Sequence, residues 1–338
     1  MEYIMNDIKV SVCCLAYNHG KYVEETLKGF VSQKTSFKYE VIIHDDASTD
    51  NTAEIIKRYE EEYPDIIKGI YQTENKYSKR IGITNNFILP KVSGDYVAMC
   101  EGDDYWTDPY KLQKQVDAME ANEDCYMCVH KTEEIFANGE RSGIVFPKTD
   151  RESGKINSRD FLTLCRAYSF HTSSYMFRAD EWKKYILDPP EYKKLCDVGD
   201  EPYMLHFGQM GCVYYISDCM SAYRRGVEGS WSDRNAKALD PARLAKHPVA
   251  MVNSLKAFDR ATENKYQDIT APRIASMMVK SGLLTKSSKE MLGRENRKYF
   301  KVLPTKKKIS VIIAAVFPSL TLGMYKKRLK KLYGKKGY

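Results

Sequence analysis

Two pairs of adjacent aspartates are the residues of this sequence best suited to bind a cation together with phosphate. Asp45 and Asp46 follow one apolar segment, and Asp103 and Asp104 follow another. In open α/β sheets, ligands bind at the carboxyl ends of the strands, which is where both pairs would lie. Buried carboxylates are costly unless they are paired or bind a cation, and a hard divalent ion that bridges to phosphate oxygens would satisfy them.

The first predicted strand–helix junction lacks the other common means of binding phosphate, a glycine-rich loop. It reads Tyr17-Asn-His-Gly20 and matches neither the Walker pattern nor Gly-x-Gly-x-x-Gly. Phosphate binding would therefore depend on a metal ion and on basic side chains.

The elements that must position these residues alternate between strand-like and helix-like patterns over about the first 120 residues. This alternation is typical of a parallel α/β sheet. Strands are predicted at residues 8–15, 39–44, 66–71 and 95–100, and helices at residues 21–33, around residues 55–59, at 85–89 and from Asp108-Pro109 onward. Later the pattern is mixed: Asn138-Gly139 predicts a hairpin, residues 173–177 and 212–216 are strand candidates, and residues 241–300 have helical periodicity.

Length and composition limit the class of protein. The 338 residues allow about two domains. The 43% hydrophobic and 29% charged residues are ordinary for a globular protein, which excludes a disordered, collagen-like or polytopic membrane chain. The cysteines number nine, an odd count, and the start has no basic region followed by an apolar run. We therefore expect free thiols in a reducing compartment rather than a disulfide framework.

The net charge of +8 belongs to the C-terminal tail. Residues 301–338 contain eleven lysines and arginines and no acidic residue, so the rest of the chain carries a net −3, which is not the footprint of a nucleic-acid binder. Residues 309–325 are apolar but are interrupted by Pro318, and they are shorter than the roughly 20 residues that span a bilayer. We expect an interfacial segment held to anionic lipid by its basic flanks. The alternative is a helix docked on the rest of the protein with a solvated basic end.

Four segments, in this order, resemble glycosyltransferase family 2. They are Val10-Ser-Val-Cys-Cys-Leu-Ala-Tyr-Asn18, Tyr22-Val-Glu-Glu-Thr-Leu27, Glu40-Val-Ile-Ile-His-Asp-Asp-Ala-Ser-Thr-Asp-Asn-Thr52 and Gly94-Asp-Tyr-Val-Ala-Met-Cys-Glu-Gly-Asp-Asp-Tyr-Trp106. The resemblance implies an α/β protein with the GT-A nucleotide-diphosphosugar transferase fold, a Rossmann-like mixed sheet flanked by helices. It also implies the following boundaries: a catalytic domain at residues 1–230 with a nucleotide-binding half (8–120) and an acceptor half (121–230), a helical extension at 231–300 and the tail at 301–338.

The resemblance also assigns the donor site. It implies that Tyr17 packs against the nucleobase, that Asp46 hydrogen-bonds the edge of the base, and that Asp103 contacts the ribose. Asp104 would bind Mg²⁺ or Mn²⁺ on the diphosphate, and Arg80 would contact the nucleotide or its phosphates.

One departure from the family pattern concerns the diphosphate. Many relatives have a histidine after Tyr-Arg, where this chain has Arg225. The resemblance therefore suggests that Arg224 or Arg225 contacts the diphosphate, in place of a histidine metal ligand.

The acceptor side requires a base, because the acceptor hydroxyl must lose its proton. Gly199-Asp-Glu-Pro-Tyr-Met-Leu205 resembles the family segment that supplies it, with Asp200 as the base and Glu201 and Asp197 as the nearest substitutes. A single displacement would then invert the anomeric centre. His171 and Trp231 lie in stretches that resemble the acceptor side and the mobile donor loop, and we expect both to contact the acceptor.

The implied activity is inverting, metal-dependent sugar transfer from a nucleotide diphosphate, UDP first, to a glycan or lipid-linked hydroxyl in surface-polysaccharide synthesis. The expected location is cytoplasmic, at the inner face of the plasma membrane. Two other functions stay open: a non-catalytic nucleotide-sugar-binding scaffold, and a sugar nucleotidyltransferase, which would usually carry a glycine-rich basic loop after its first strand. Structural roles also stay open, namely helix capping for Asp200, core packing for Tyr17 and a plain hydrogen-bonding role for His171.

Overall fold

The computed structural model describes residues 7–165, 170–230 and 240–333, with side chains described as far as residue 327. The chain divides into two compact units. The first comprises the residues up to Pro189 together with His206–Arg225, and the second comprises Pro190–Leu205 and the residues from Gly226 onward.

The first unit is built on a mixed sheet of ten strands. The strands are β1 (Ile8–Ala16), β2 (Lys38–Asp45), β3 (Ile67–Tyr71), β4 (Tyr96–Met99), β5 (Tyr105–Trp106), β6 (Cys125–Phe136), β7 (Arg141–Phe146), β8 (Gly154–Asn157), β9 (Met176–Arg178) and β10 (Cys212–Arg225). Their order is β3-β2-β1-β4-β9-β6-β10-β5, with β7 paired to β6 and β8 paired to β10.

The parallel part of this sheet is the part that the sequence predicts. β1 is parallel to β2 and β4, and β2 is parallel to β3. The four predicted strands agree with β1–β4 to within one residue at each end. β9 is antiparallel to β4 and β6, and β5 is antiparallel to β10, so the sheet as a whole is mixed, as the family resemblance implied.

The helices of the first unit cover this sheet through apolar faces. In the first helix, Val23, Leu27 and Phe30 are spaced by four and three residues and are fully buried on one face. The helices are α1 (Val23–Val31), α2 (Thr52–Glu62), α3 (Lys111–Glu120), α4 (Ser158–Leu164) and α5 (Ala179–Leu187).

Two expectations were wrong. The predicted strand at residues 173–177 begins as a 3₁₀ turn, because the carbonyl of His171 accepts bonds from both the N–H and the hydroxyl of Ser174, and β9 starts only at Met176.

The cysteines are not all free: Cys125 and Cys212 form a disulfide, because β6 and β10 are parallel neighbours that place them opposite each other. The other seven cysteines are not in disulfides.

Two of the remaining helices precede β10, and the others, from residue 241 onward, confirm the predicted helical C-terminal region. They are α6 (Glu191–Leu195), α7 (Asp200–Met210), α8 (Pro241–Ala261), α9 (Gln267–Thr285), α10 (Arg297–Lys301), α11 (Thr305–Val316) and α12 (Pro318–Tyr333). No single helix within the described ranges is long and apolar enough to cross a membrane. By length and composition only, α11 and the part of α12 up to Lys327 meet that requirement together, with a bend of 119° between them.

Lys111 is a fully buried lysine at the start of α3. Its Nζ donates a hydrogen bond to Gln115 Oε1 at 2.6 Å and lies 4.0 Å from the centroid of the Trp106 ring. Burial lowers the pKa of Lys111 to about 7. The unfolded chain, where a lysine has a pKa of about 10.4, therefore binds more protons than the folded chain between pH 7 and pH 10.

We predict that this lysine makes the protein more stable as the pH rises from 7 to 10. Relative to Lys111→Met, the wild type should gain roughly 2–4 kcal/mol of unfolding free energy over that range, measured by denaturant unfolding at several pH values. Lys28→Met, which removes an exposed lysine of α1, is the matched control. Its unfolding free energy should change with pH in parallel with that of the wild type. Parallel pH profiles for wild type and Lys111→Met would contradict the prediction.

Candidate active site

The carboxyl ends of β1, β2 and β4 lie side by side, since β1 pairs with both of the others. The loops after β1 and β2 are tied together by hydrogen bonds. The Asn18 N–H donates to Ser48 Oγ at 2.8 Å, and the Gly20 N–H donates to Asp50 Oδ2 at 2.9 Å. Asp50 Oδ1 also accepts from the Thr52 N–H at 3.0 Å, so Asp50 bonds both to the first residue of α2 and to the neighbouring loop.

Asp46 is buried and fixes the loop after β3. Its Oδ1 accepts from the Lys76 N–H at 2.7 Å, and its Oδ2 accepts from the Tyr77 N–H at 3.0 Å. Each carboxylate oxygen can accept a second hydrogen bond, so these two bonds leave lone pairs for the contact expected with a nucleobase. Arg80, further along this loop, is exposed, and Tyr17 at the end of β1 is 44% exposed.

Three carboxylates converge after β4. Oxygens of Glu101, Asp103 and Asp104 all lie within 4.8 Å of one another. Asp103 and Asp104 are buried, and Asp103 Oδ1 has no hydrogen-bond partner among the described residues. Burial, followed by the charge of Asp103, raises the pKa of Asp104 well above the usual range for aspartate. Hard oxygen ligands with an unsatisfied buried atom suit Mg²⁺ or Mn²⁺, so these residues fit the ion that the family implies.

Asp104 is held in place from two sides. Its Oδ1 accepts from the Arg224 N–H at 2.8 Å, and its carbonyl accepts from Thr26 Oγ1 at 2.6 Å. His171 Nε2 lies 3.6 Å from Asp104 Oδ2, and the His171 ring stacks on Tyr223 at 4.3 Å between centroids. Because burial lowers the pKa of His171 to about 3, this imidazole is neutral beside the carboxylate.

Arg224, one of the two arginines expected at the diphosphate, lies buried beside the acidic loop. It is only 5% exposed, its Nε donates to the Asp103 carbonyl at 2.9 Å, and its guanidinium pairs with Glu25 at 2.5 Å. The guanidinium also lies over the rings of Tyr22 and Tyr105. Arg224 thus links the acidic loop to α1 through hydrogen bonds to the Asp103 carbonyl and the Glu25 carboxylate.

Arg225, the other arginine expected at the diphosphate, is less buried than its neighbour. Its Nη1 lies 3.4 Å from Glu134 Oε1. The structure therefore gives the two adjacent arginines different surroundings, and Arg225 is the one with part of its side chain at the surface.

The predicted base belongs to the second unit. Asp200 is the first residue of α7, and burial raises the pKa of its carboxyl. Of the two substitutes, Glu201 is buried and paired with Arg273, and Asp197 Oδ1 lies 2.8 Å from His247 Nδ1. Asp200 has no side-chain partner among the described residues.

Sequence reasoning missed several residues of this site. Glu101 could have been found, because it lies in the same Glu-Gly-Asp-Asp loop as the two aspartates. Thr26 and Glu25 carry no such signal, since their roles arise only when α1 packs beside the loop. Trp231 falls in the segment 231–239, outside the described residues.

Residues 11–181, just over half of the chain, match the sequence profile of Glycosyl transferase family 2. The chain belongs to this family. An uncharacterised protein of Mycobacterium tuberculosis is 33% identical over 227 residues, which are 66% of this family 2 chain and 60% of that relative. This chain therefore spans less than two thirds of the relative's length.

Two named proteins extend the comparison. The Escherichia coli enzyme WfaP, named as a UDP-Glc:α-D-GlcNAc-diphosphoundecaprenol β-1,3-glucosyltransferase, is 34% identical over 111 residues, covering 33% of this chain and 41% of that enzyme. The crystal structure of Staphylococcus aureus TarS 1–349 with UDP-GlcNAc aligns with a TM-score of 0.60 at 15% identity, covering 98% of this chain and 93% of TarS 1–349. At that identity the likeness concerns the fold, and it confirms the GT-A fold of this family 2 chain.

We predict that Arg224 is needed for stability as well as for the geometry of the site. Arg224→Met should lower the free energy of unfolding by roughly 2–3 kcal/mol, because it removes the bonds to Asp103 and Glu25 at a buried position. Arg225→Met is the matched control next to it and should change the value by less than about 1 kcal/mol. Equal effects in denaturant unfolding would contradict the role assigned to Arg224.

Proposed function

We propose that the protein is an inverting, metal-dependent glycosyltransferase. It moves a sugar from a nucleotide diphosphate, with UDP as the first candidate, to a hydroxyl of a glycan or lipid-linked acceptor in surface-polysaccharide synthesis. The observation that carries the proposal is the convergence of Glu101, Asp103 and Asp104 at the end of β4, with a buried oxygen of Asp103 that lacks a partner among the described residues. Membership of family 2 supports the same chemistry.

The nucleotide of the donor is assigned to the loops after β1, β2 and β3. The exposed ring of Tyr17 offers a face for the nucleobase. Asp46, fixed by two backbone amides, keeps lone pairs that can accept from the edge of the base. Asp103 is assigned to the ribose, and Arg80 and Arg225 are assigned to the phosphates.

Asp104, with Glu101 and Asp103 beside it, is assigned to hold Mg²⁺ or Mn²⁺. When bound, such an ion stabilises the negative charge that develops on the diphosphate leaving group. His171 supports this assignment, because a neutral imidazole beside Asp104 adds no positive charge that would repel a cation. His171 and Trp231 are also retained as contacts to the acceptor.

Asp200 is assigned as the general base. Burial raises the pKa of both Asp200 and Glu201, which favours either as a proton acceptor, but Glu201 is paired with Arg273. Asp197 is likewise engaged, by His247. The acceptor oxygen forms its bond to the anomeric carbon while the bond to the diphosphate oxygen breaks. The hydroxyl proton passes to the Asp200 carboxylate, and the single displacement inverts the anomeric centre.

The relatives support the choice of donor and acceptor by analogy. The name of WfaP specifies UDP-glucose and a sugar on diphosphoundecaprenol, and the TarS structure contains UDP-GlcNAc. A UDP-sugar and a lipid-linked sugar are therefore the first donor and acceptor to test with this protein.

Calorimetric titration with UDP tests the donor site. We expect UDP to bind in the presence of Mn²⁺ and binding to be lost in Asp104→Ala, because that substitution removes a metal ligand. Asp95→Ala removes an exposed carboxylate just before β4 and should bind UDP like the wild type. If wild-type protein bound no UDP with any divalent ion, the UDP assignment would be wrong, and failure with dTDP and GDP as well would refute a nucleotide site in these loops.

Turnover measurements test the base. We expect Asp200→Asn to lower kcat by about 10²- to 10⁴-fold while Mn²⁺-dependent UDP binding is kept. Asp197→Asn is the comparator and should retain most of the activity. Because the pKa of Asp200 is raised, the acid limb of the wild-type kcat profile should lie above the ordinary aspartate pKa of about 4, with activity lost as the pH falls through it. Full activity of Asp200→Asn would refute the assignment.

A further inference from the structure

Helices α11 and α12 carry an apolar stripe on their exposed side. On α11 the spacing i, i+3, i+4, i+7 places its members on one helix face, and further exposed apolar residues occur at the break and in α12. Val311 and Ala314, on the other side of α11, are buried. The exposed members are Ile309, Ile312, Ile313, Val316, Phe317, Leu320 and Met324.

This arrangement is opposite to that of an ordinary surface helix, which turns its apolar face to the core. Each of the seven side chains is between 46% and 64% exposed. Single exposed apolar residues are common, but a contiguous patch marks a surface that contacts another molecule or a membrane.

Positive charge flanks the stripe at both ends. Lys306 and Lys307 are exposed at the start of α11, and Lys326 and Lys327 are exposed in α12. No acidic residue occurs between positions 301 and 338. A partner surface must therefore be apolar in the middle and negative at its edges.

These features favour lipid over a second copy of the chain. Two copies joined through their stripes would bring lysines against lysines, with no carboxylate in the segment to pair them. An anionic bilayer offers headgroups for the lysines and an acyl boundary for the apolar residues.

We propose that the stripe of α11 and α12 inserts into the interface of an anionic membrane, with the lysines on the lipid headgroups. The cytoplasmic leaflet of the plasma membrane, which is anionic and attracts polybasic segments, is the matching surface. The proposal is independent of the reaction, since it concerns only where the protein lies.

Vesicle co-sedimentation of the full chain tests the proposal. We expect binding to vesicles of phosphatidylglycerol mixed with phosphatidylcholine, at least tenfold weaker binding to phosphatidylcholine alone, and weakening at high salt. Val316→Glu should reduce binding to the anionic vesicles by about tenfold or more, since it replaces an inserted apolar side chain. Leu187→Glu changes a 71% exposed leucine of α5 outside the stripe and should bind like the wild type.

Three results would overturn the proposal. The first is no binding to anionic vesicles at low salt. The second is that Val316→Glu and Leu187→Glu have the same effect on vesicle binding, whether both leave it unchanged or both weaken it. The third is a dimer by light scattering that Val316→Glu dissociates, with no vesicle binding, which would assign the stripe to a second copy. Thermal melting checks that Val316→Glu is folded, and Met324→Glu on α12 provides a second variant.

Discussion

The burial of Asp103 and Asp104 side by side is the constraint on which the arrangement of the first unit depends. Adjacent carboxylates lose hydration when they are buried, and the charge of Asp103 disfavours the ionisation of Asp104. The protein compensates in part: the Arg224 N–H donates to one Asp104 oxygen, while the Thr26 hydroxyl fixes the Asp104 carbonyl and so the position of the loop. These contacts leave an oxygen of Asp103 unsatisfied, and this incomplete compensation makes the loop suitable for a cation.

The connection from sheet to site runs through the short strand β5. Tyr105 and Trp106 directly follow the acidic loop and pair with Ala222 and Ser221 of β10, so Arg224 arrives beside the aspartates as a consequence of strand register. Helix α1 must then come close to β5. Gly29 permits this approach, since a Cβ there would lie 3.0 Å from the carbonyl oxygen of Trp106. The same approach brings Glu25 and Thr26, one turn earlier on α1, to Arg224 and Asp104.

Local pattern was enough to predict β1–β4, the helices between them and the carboxylate loops, because period, caps and strand ends are encoded within a few residues. The contacts of Arg224 and Asp46 could not be predicted in this way. Arg224 meets Glu25 across 199 positions, and Asp46 meets Lys76 across 30. The disulfide of Cys125 with Cys212 is separated by 87 positions and depends on the pairing of β6 with β10, which no spacing in the sequence announces.

Helices α11 and α12 depart from the usual pattern of surface helices. Their sequence period is helical, but many of their apolar residues face outward. Val311, Ala314 and Leu322 are buried, so the two helices are already anchored by apolar contacts without the stripe. Polar residues on the exposed face would serve folding equally well and would avoid the cost of solvating apolar surface. Places where a chain breaks a local rule without a gain in the folded monomer are where function is expected. The stripe is therefore explained by a second surface that buries its apolar side chains. Because the flanks of the stripe are uniformly basic, that surface must be negatively charged.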